Sequence, residues 1–370
     1  MAKRSRTPSI PAYFKERLSR VRTAIREAGC DALLITNPVD IRYLTPFSGE
    51  ASCAYVTARS LTVISDARFL VELEELKGHA RVVVRKGPMV PALVELLADR
   101  TEQRIGVQGE SITLAIFESL KKGVGAKRLR STGGIVAGVR LIKGDEEVRA
   151  ISRAIKIQQD AFVEVADRIE PGWNESEVCA ELEWEMATRG SEGPAFHTIV
   201  ASKANAAKPH ATPGSTKITT NAPLLIDWGA TSGGYRGDLT RVLFFGKPSR
   251  EMRTVYEVVR EAHASAIDTV RDGARASDVD AVARGIIRDA GYGDRFGHAL
   301  GHGIGLDTHE APRIAGEVAG ELRAGMVVTI EPGVYLPGVG GVRIEDDILV
   351  TLRGGRRLSS LPTDLEWACR

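Results

Sequence analysis

Cysteine is scarce in this chain. Cys30, Cys53, Cys179 and Cys369 are the only four among 370 residues, and no two stand in a CxxC spacing. That argues against a thiolate metal cage or a disulfide framework and suits free thiols in a reducing cytoplasm. Long apolar runs are missing too. No stretch reaches the ~18 uninterrupted apolar residues of a membrane-crossing helix. No apolar segment follows the basic start MAKRSR, as a secretory signal would require. Charge of one sign is not in excess: 50 Lys+Arg stand against 48 Asp+Glu, for a net +2. That balance gives no electrostatic footprint for nucleic acid, and residues 1–8 read as a solvated tail. Any metal held here must be held by carboxylates and imidazoles.

The length suggests two domains or one large one, and 43% apolar residues suffice for sizeable cores. The first part alternates helix and strand signals. Helical periodicity runs from Phe14 to Ala28 and stops near Gly29. Strands are expected at Asp31–Thr36, Ser60–Ser65, Ala80–Arg85 and Arg104–Val107, with a helix over Val90–Asp99. This predicts a smaller α/β domain over residues 1–140. Composition then shifts, and a long helical pattern opens near Gly144, beginning a second domain over 141–370.

The second domain contains a weak internal repeat. A helix over Glu147–Arg168 leads to EPGWNESEV and a helix that stops at Gly190. About a hundred residues on, a helix over Glu251–Arg271 leads to RDGARASDV and a helix that stops at Gly291. Ser176 reads as a helix cap, and Ser277 with Asp280 as a capping box. Each copy ends in a β-hairpin, Pro223–Phe245 in one and Met326–Val350 in the other. Two similar halves would pack about a pseudo-two-fold axis with their hairpins meeting at the centre.

Each hairpin carries two acids among apolar strand residues: Asp227 and Asp238 in the first, Glu331 and Glu345 in the second. Burying an acid in such a strand is expensive. Four carboxylates converging there cannot all stay ionised unless cations neutralise them, and carboxylate oxygen suits divalent metals. The segment GHALGHGIGLDTHEAP, Gly297–Pro312, adds His298, His302 and His309. Seven residues separate His302 from His309, and glycines interrupt them, so an HExxH zinc helix is excluded. One histidine as a ligand and another as proton donor or oxyanion partner fits better.

These motifs resemble the metal-dependent peptidases of the pita-bread fold (family M24), in the branch that holds aminopeptidase P and prolidase. The segments that carry the likeness are DALLITNPVDIRYLTPFSG, IVASKANAAKPHATP, LLIDWGA, GDLTRV, GHGIGLDTHEAP, TIEPGVY and GVRIEDD. The resemblance implies an α+β architecture: a creatinase-type N-terminal α/β domain followed by a pita-bread catalytic domain. It implies two divalent ions per chain, manganese first, with cobalt or zinc as alternatives. Asp227, Asp238, His302, Glu331 and Glu345 would be their ligands, with Asp238 and Glu345 shared. Hydrolysis of the bond between an N-terminal residue and proline would use a hydroxide bridging the ions, with Glu331 as general base. His210, His298, His309 and Arg343 would line the substrate side, and His197 would be structural. A peptide with proline in second position is the expected partner, with no nucleic acid and no membrane, in a cytoplasmic homodimer. Two readings stay open beside this one: a related aminopeptidase without proline preference, and a metal-free pita-bread binding module. Methionine aminopeptidases share the ligand pattern but lack the first domain, and creatine amidinohydrolase lacks the full carboxylate set. Pro46 departs from the glycine common in the family's N-terminal loop.

Overall fold

The computed structural model describes residues 11–370; the basic start read above as a tail lies outside the described residues. The chain divides into two compact units, the first ending at Arg140 and the second spanning Leu141–Arg370.

The first unit is built on six strands: β1 (Ala32–Ile35), β2 (Cys53–Thr57), β3 (Leu61–Asp66), β4 (Arg81–Arg85), β5 (Ile105–Gln108) and β6 (Leu129–Thr132). They form one sheet in the order β4-β3-β2-β1-β5-β6. β1 is buried on both faces, which explains its unbroken run of apolar residues. Helices Met89–Ala98 and Leu114–Val124 pack Leu93, Leu97 and Leu120 against Leu34, Tyr55, Ile105 and Val107 of the sheet. The expected first helix runs Ala12–Glu27 and is followed by Gly29 in a left-handed conformation, φ 69°. β2, β6 and the helix Leu114–Val124 were not anticipated.

The second unit repeats one pattern twice. β8 (Pro223–Trp228) pairs antiparallel with β11 (Leu239–Phe244), and between them lies a short ribbon of β9 (Thr231–Ser232) and β10 (Tyr235–Arg236). β7 (Ile199–Ser202) flanks β8 in the order β11-β8-β7. The other half has five strands in the order β13-β12-β14-β17-β18. These are β12 (Gly301–Gly303), β13 (Glu310–Ile314), β14 (Val327–Ile330), β17 (Asp346–Val350) and β18 (Gly355–Arg357), and the ribbon β15 (Gly333–Leu336) with β16 (Gly340–Arg343) is nested between β14 and β17. The single hairpin expected over Met326–Val350 is thus two, one inside the other, as is its counterpart over Pro223–Phe245. The two sheets meet at a bridge where Glu345 N donates to Thr240 O at 3.2 Å.

Helices Asp145–Ala166 and Glu175–Thr188 belong to one half, and Arg250–Thr269 and Ala276–Asp289 to the other. The capping expectations need correction. Asn174, not Ser176, caps the second of these helices. Its Oδ1 accepts from Glu177 N at 2.9 Å and Glu177 Oε2 accepts from Asn174 N at 2.7 Å, the reciprocal box that a short polar side chain permits. Ser176 Oγ instead donates to Pro213 O and Gly214 O. The helix Ala276–Asp289 has no side-chain cap, and Asp280 binds Arg284 at 2.7 Å instead. Phe162 stacks on Trp228 at 4.2 Å between ring centroids, and Trp228 Nε1 donates to Gln158 O at 2.9 Å. These contacts fix the end of β8 beside Asp227.

Candidate metal centre

Asp227 and Trp228 are consecutive in β8, so their side chains leave opposite faces of the strand. Trp228 goes into the core, and Asp227 goes toward the bridge between the sheets. Asp238 immediately precedes β11, and its N–H donates to Asp347 Oδ2 at 2.9 Å. Glu331 follows β14, with its N–H on Leu300 O at 2.8 Å. Glu345 stands between β16 and β17, where its Oε2 accepts from Thr240 Oγ1 at 2.6 Å.

His302 is the middle residue of β12, and its glycine neighbours are a steric requirement. A Cβ on Gly301 would lie 2.0 Å from Thr329 O, and one on Gly303 would lie 2.1 Å from Ala311 O. His302 Nδ1 lies 3.0 Å from Gly303 O. A carbonyl only accepts, so Nδ1 carries the proton and Nε2 is left with a lone pair for the acids. Nε2 lies 3.4 Å from Glu331 Oε1 and 3.8 Å from Asp238 Oδ2. One donor atom each from Asp238, His302 and Glu345 fall within 4.8 Å of one another.

Arg343 is the main basic group here and is buried. Its Nε donates to Thr240 Oγ1 at 3.0 Å and one terminal nitrogen to Tyr335 Oη at 2.8 Å. The other terminal nitrogen reaches Asp227 Oδ2 at 2.5 Å. Tyr335 Oη in turn lies 2.8 Å from His298 Nε2, and His298 Nδ1 lies 2.7 Å from Ala299 O. The neutral tautomer with hydrogen on Nδ1 satisfies both contacts, and burial holds His298 down to about 4. His309 is exposed and its ring centroid is 4.3 Å from that of His302. His210 is exposed as well, and its charge is felt at Asp227, His298 and His309. His197 is exposed.

The electrostatics of the acids are lopsided. Burial, followed by the neighbouring carboxylates, pushes Asp238 and Glu345 well above the ordinary range. Burial pushes Glu331 up to about 8. Burial also raises Asp227, although Arg343 opposes it, and Asp227 Oδ1 is buried with no hydrogen-bond partner. An unpartnered carboxylate oxygen, two more acids starved of positive charge and an imidazole lone pair form a donor set that fits hard or borderline divalent cations.

Sequence reasoning passed over Thr240, Tyr335 and Asp347. Thr240 carried a usable signal, since it stands two residues past Asp238. Asp347 stood in plain view in the run Glu345-Asp346-Asp347. Tyr335 had no such signal, because its partners are remote in sequence.

Comparison with known proteins identifies the family. Residues 149–352 match the model of metallopeptidase family M24, and residues 17–142 match the creatinase/prolidase N-terminal domain. The chain is 35% identical to the Xaa-Pro dipeptidase of Pyrococcus furiosus over 95% of its own length and 100% of that protein. A solved structure of an Xaa-Pro dipeptidase from Bacillus anthracis superposes with a TM-score of 0.92 at 34% identity, covering 95% of this chain and 99% of that one. An X-Pro aminopeptidase from Thermotoga maritima gives 0.85 at 34% identity, covering 92% and 99%. The architecture is α+β, a creatinase-type N-terminal domain ahead of a pita-bread domain, and the chain belongs to metallopeptidase family M24, the metal-dependent peptide hydrolases.

Proposed function

We propose that this metallopeptidase hydrolyses the bond between an N-terminal residue and proline, using two divalent ions held by Asp227, Asp238, His302, Glu331 and Glu345. The observation that carries the proposal is the approach of Asp238, His302 and Glu345 donor atoms to within 4.8 Å of one another in a buried, acid-rich pocket. Asp238 and Glu345 would be the shared ligands, and manganese is the first choice of ion, with cobalt or zinc as alternatives. Bound divalent cations would supply Lewis acidity and a water acidic enough to act near neutral pH.

The chain's own groups do the rest. Glu331 takes a proton at a carboxylate oxygen and returns it to the leaving nitrogen. Its partly exposed position, beside His302 Nε2 and 4.0 Å from His298 Nδ1, suits that shuttle. His309 donates to the developing oxyanion from the exposed side. His210 and His298 position the residue after the scissile bond, while Arg343 holds Asp227 and Tyr335 in place. Proline lacks an N–H and fixes its own φ, so a pocket shaped to it favours a bond that general peptidases cleave poorly. The names of the relatives support the substrate: two are called Xaa-Pro dipeptidases and one an X-Pro aminopeptidase. Four free cysteines suit a cytoplasmic setting, and the resemblance supports a homodimer, which sedimentation would test.

The test is direct. Purified protein is assayed on Xaa-Pro dipeptides and on Xaa-Pro-Xaa tripeptides with Mn²⁺, Co²⁺ or Zn²⁺, and again after chelation. Cleavage at proline that chelation abolishes and metal restores is expected. Cleavage that survives exhaustive chelation, or that ignores proline, would sink the proposal.

A further inference from the structure

Glu175 occupies the first turn of the helix Glu175–Thr188, where an acid usually faces water and complements the helix dipole. Here its side chain turns inward, with no exposed surface. Its carboxylate takes hydrogen bonds from both ends of the loop that follows β7. Oε1 accepts from Ser202 N at 2.8 Å and Asn205 Nδ2 at 3.0 Å. Oε2 accepts from Gly214 N at 3.0 Å. Further bonds join the same helix end to the far side of the loop: Glu175 N donates to Thr216 O at 3.2 Å and Ser176 N to Gly214 O at 3.1 Å. Asn205 Nδ2 also reaches Thr216 Oγ1 at 2.9 Å.

Two features show how tightly the loop is specified. Lys203 sits at φ 55°, a left-handed conformation that costs a residue with a side chain and persists only where surroundings enforce it. At the loop's centre Pro209 O accepts from Arg343 at 3.3 Å, from the same guanidinium that holds Asp227. The next residue is His210.

We propose that Glu175 is a positioning residue for substrate binding: its buried carboxylate closes the loop 203–214 at both ends and so fixes where His210 stands. The inference rests on the reading of His210 as a substrate-side group. The clamp requires two acceptor oxygens, because Ser202 and Gly214 both approach with backbone N–H groups. Glutamine offers one oxygen and one NH₂, so either orientation sets a donor against a donor and releases one end of the loop.

The experiment compares wild type with Glu175→Gln, His210→Ala, the double variant and the milder Asn205→Ala, all metal-loaded. Glu175→Gln should speed amide exchange in residues 203–214 and leave exchange in β8 and β14 unchanged. It should raise KM roughly tenfold to a hundredfold, the range expected for losing a hydrogen bond to a charged group, with a smaller change in kcat. Asn205→Ala should shift both readouts the same way by less. In the His210→Ala background Glu175→Gln should have almost no further effect on KM. A merely structural Glu175 would lower the folded fraction, and so kcat, without moving KM. That result, unchanged exchange in 203–214, or effects of Glu175→Gln and His210→Ala that multiply, would overturn the proposal. Failure of the Xaa-Pro reading looks different: the wild type would not turn over these peptides, while the exchange difference would persist.

Discussion

Replacing Arg343 by methionine isolates the charge it contributes to the site. Methionine matches the aliphatic stem of Arg343 but stops short of its guanidinium, and it carries no charge and no donors; the space it leaves is the same in the two conditions compared below. In the variant Asp227 loses the partner at 2.5 Å on Oδ2, and Oδ1 already has none. Breaking a buried ion pair by removing one member costs about 3–5 kcal/mol. Asp227 can escape part of that by taking up a proton, since burial already raises it, so the lower end, about 3 kcal/mol, applies to metal-free protein. At about 2–4 °C per kcal/mol for a unit of this size, the midpoint of the second unit should fall by roughly 6–12 °C in the presence of chelator. Added Mn²⁺ supplies positive charge to the same carboxylates, so the gap between variant and wild type should shrink by at least half in saturating metal. Thr240, Tyr335 and Pro209 lose Arg343 in both conditions, so that part of the cost cancels in the comparison. Thermal unfolding followed by near-UV circular dichroism, with chelator and with Mn²⁺, measures both gaps. Equal gaps in the two conditions would mean that Arg343 stabilises through packing and neutral hydrogen bonds, and the charge reasoning would be refuted.

Asp238→Asn should abolish turnover and leave less than one ion per chain by elemental analysis; a fully active variant would show that Asp238 is not a shared ligand. Thr240→Val removes the hydroxyl that joins Arg343 Nε to Glu345 Oε2 while keeping its shape; one lost bond involves the Arg343 guanidinium and the other a carboxyl that burial pushes toward its neutral form, so unfolding in urea should show a loss of roughly 2–4 kcal/mol in metal-free protein. A loss below about 1 kcal/mol would mean the two groups find other partners. His298 is held down to about 4 by burial, against 6.5 in the unfolded chain. Its contribution is therefore complete above about pH 6.5 and is lost as the pH falls toward 4, on the order of 3 kcal/mol in all. His298→Gln should flatten the stability profile over that window, and an unchanged slope would assign the pH dependence elsewhere.

The parts of the site that were legible are those whose residue types contradict their strand. Asp227 inside LLIDW and Glu331 after VVTI stand out because an acid in an apolar run has to be explained. His302 between two glycines is visible for the same reason. The nested ribbons were not legible, since β9 with β10 is a two-residue ladder set by tertiary packing and not by period. In the first unit β6 escaped because it is an edge strand with two exposed residues of four. Glu175 escaped because local sequence reads an acid in a first turn as a dipole partner, and only the remote loop 202–214 shows that it points inward. The same blindness misplaced the cap at Ser176. Serine and asparagine are near-equal caps, and the competing offer of two loop carbonyls to Ser176 comes from almost forty residues away.

Glu345 and Asp346 are neighbours, equally buried, and pushed in opposite directions. Burial alone would raise both. At Asp346 it is overcome: Arg241 lies at 2.8 Å, Arg357 and His263 each at 3.3 Å, and Ser359 donates as well, so the carboxyl is held well below its usual range. Arg241 is itself wholly buried and spends its remaining donors on the carbonyls of Thr240, Glu345, Leu361 and Pro362. At Glu345 burial wins, the acids around it add to the shift, and Arg343 does not offset them. The fold therefore has the means to neutralise a buried acid with its own cations and uses them fully one residue away. Asp238 and Glu345 receive no such partner among the described residues. Carboxylates that serve only to hold a structure together gain nothing from being left in that state, because an unpaired buried charge costs several kcal/mol. Leaving them so is intelligible if the missing positive charge arrives from outside, in a form that also brings chemistry.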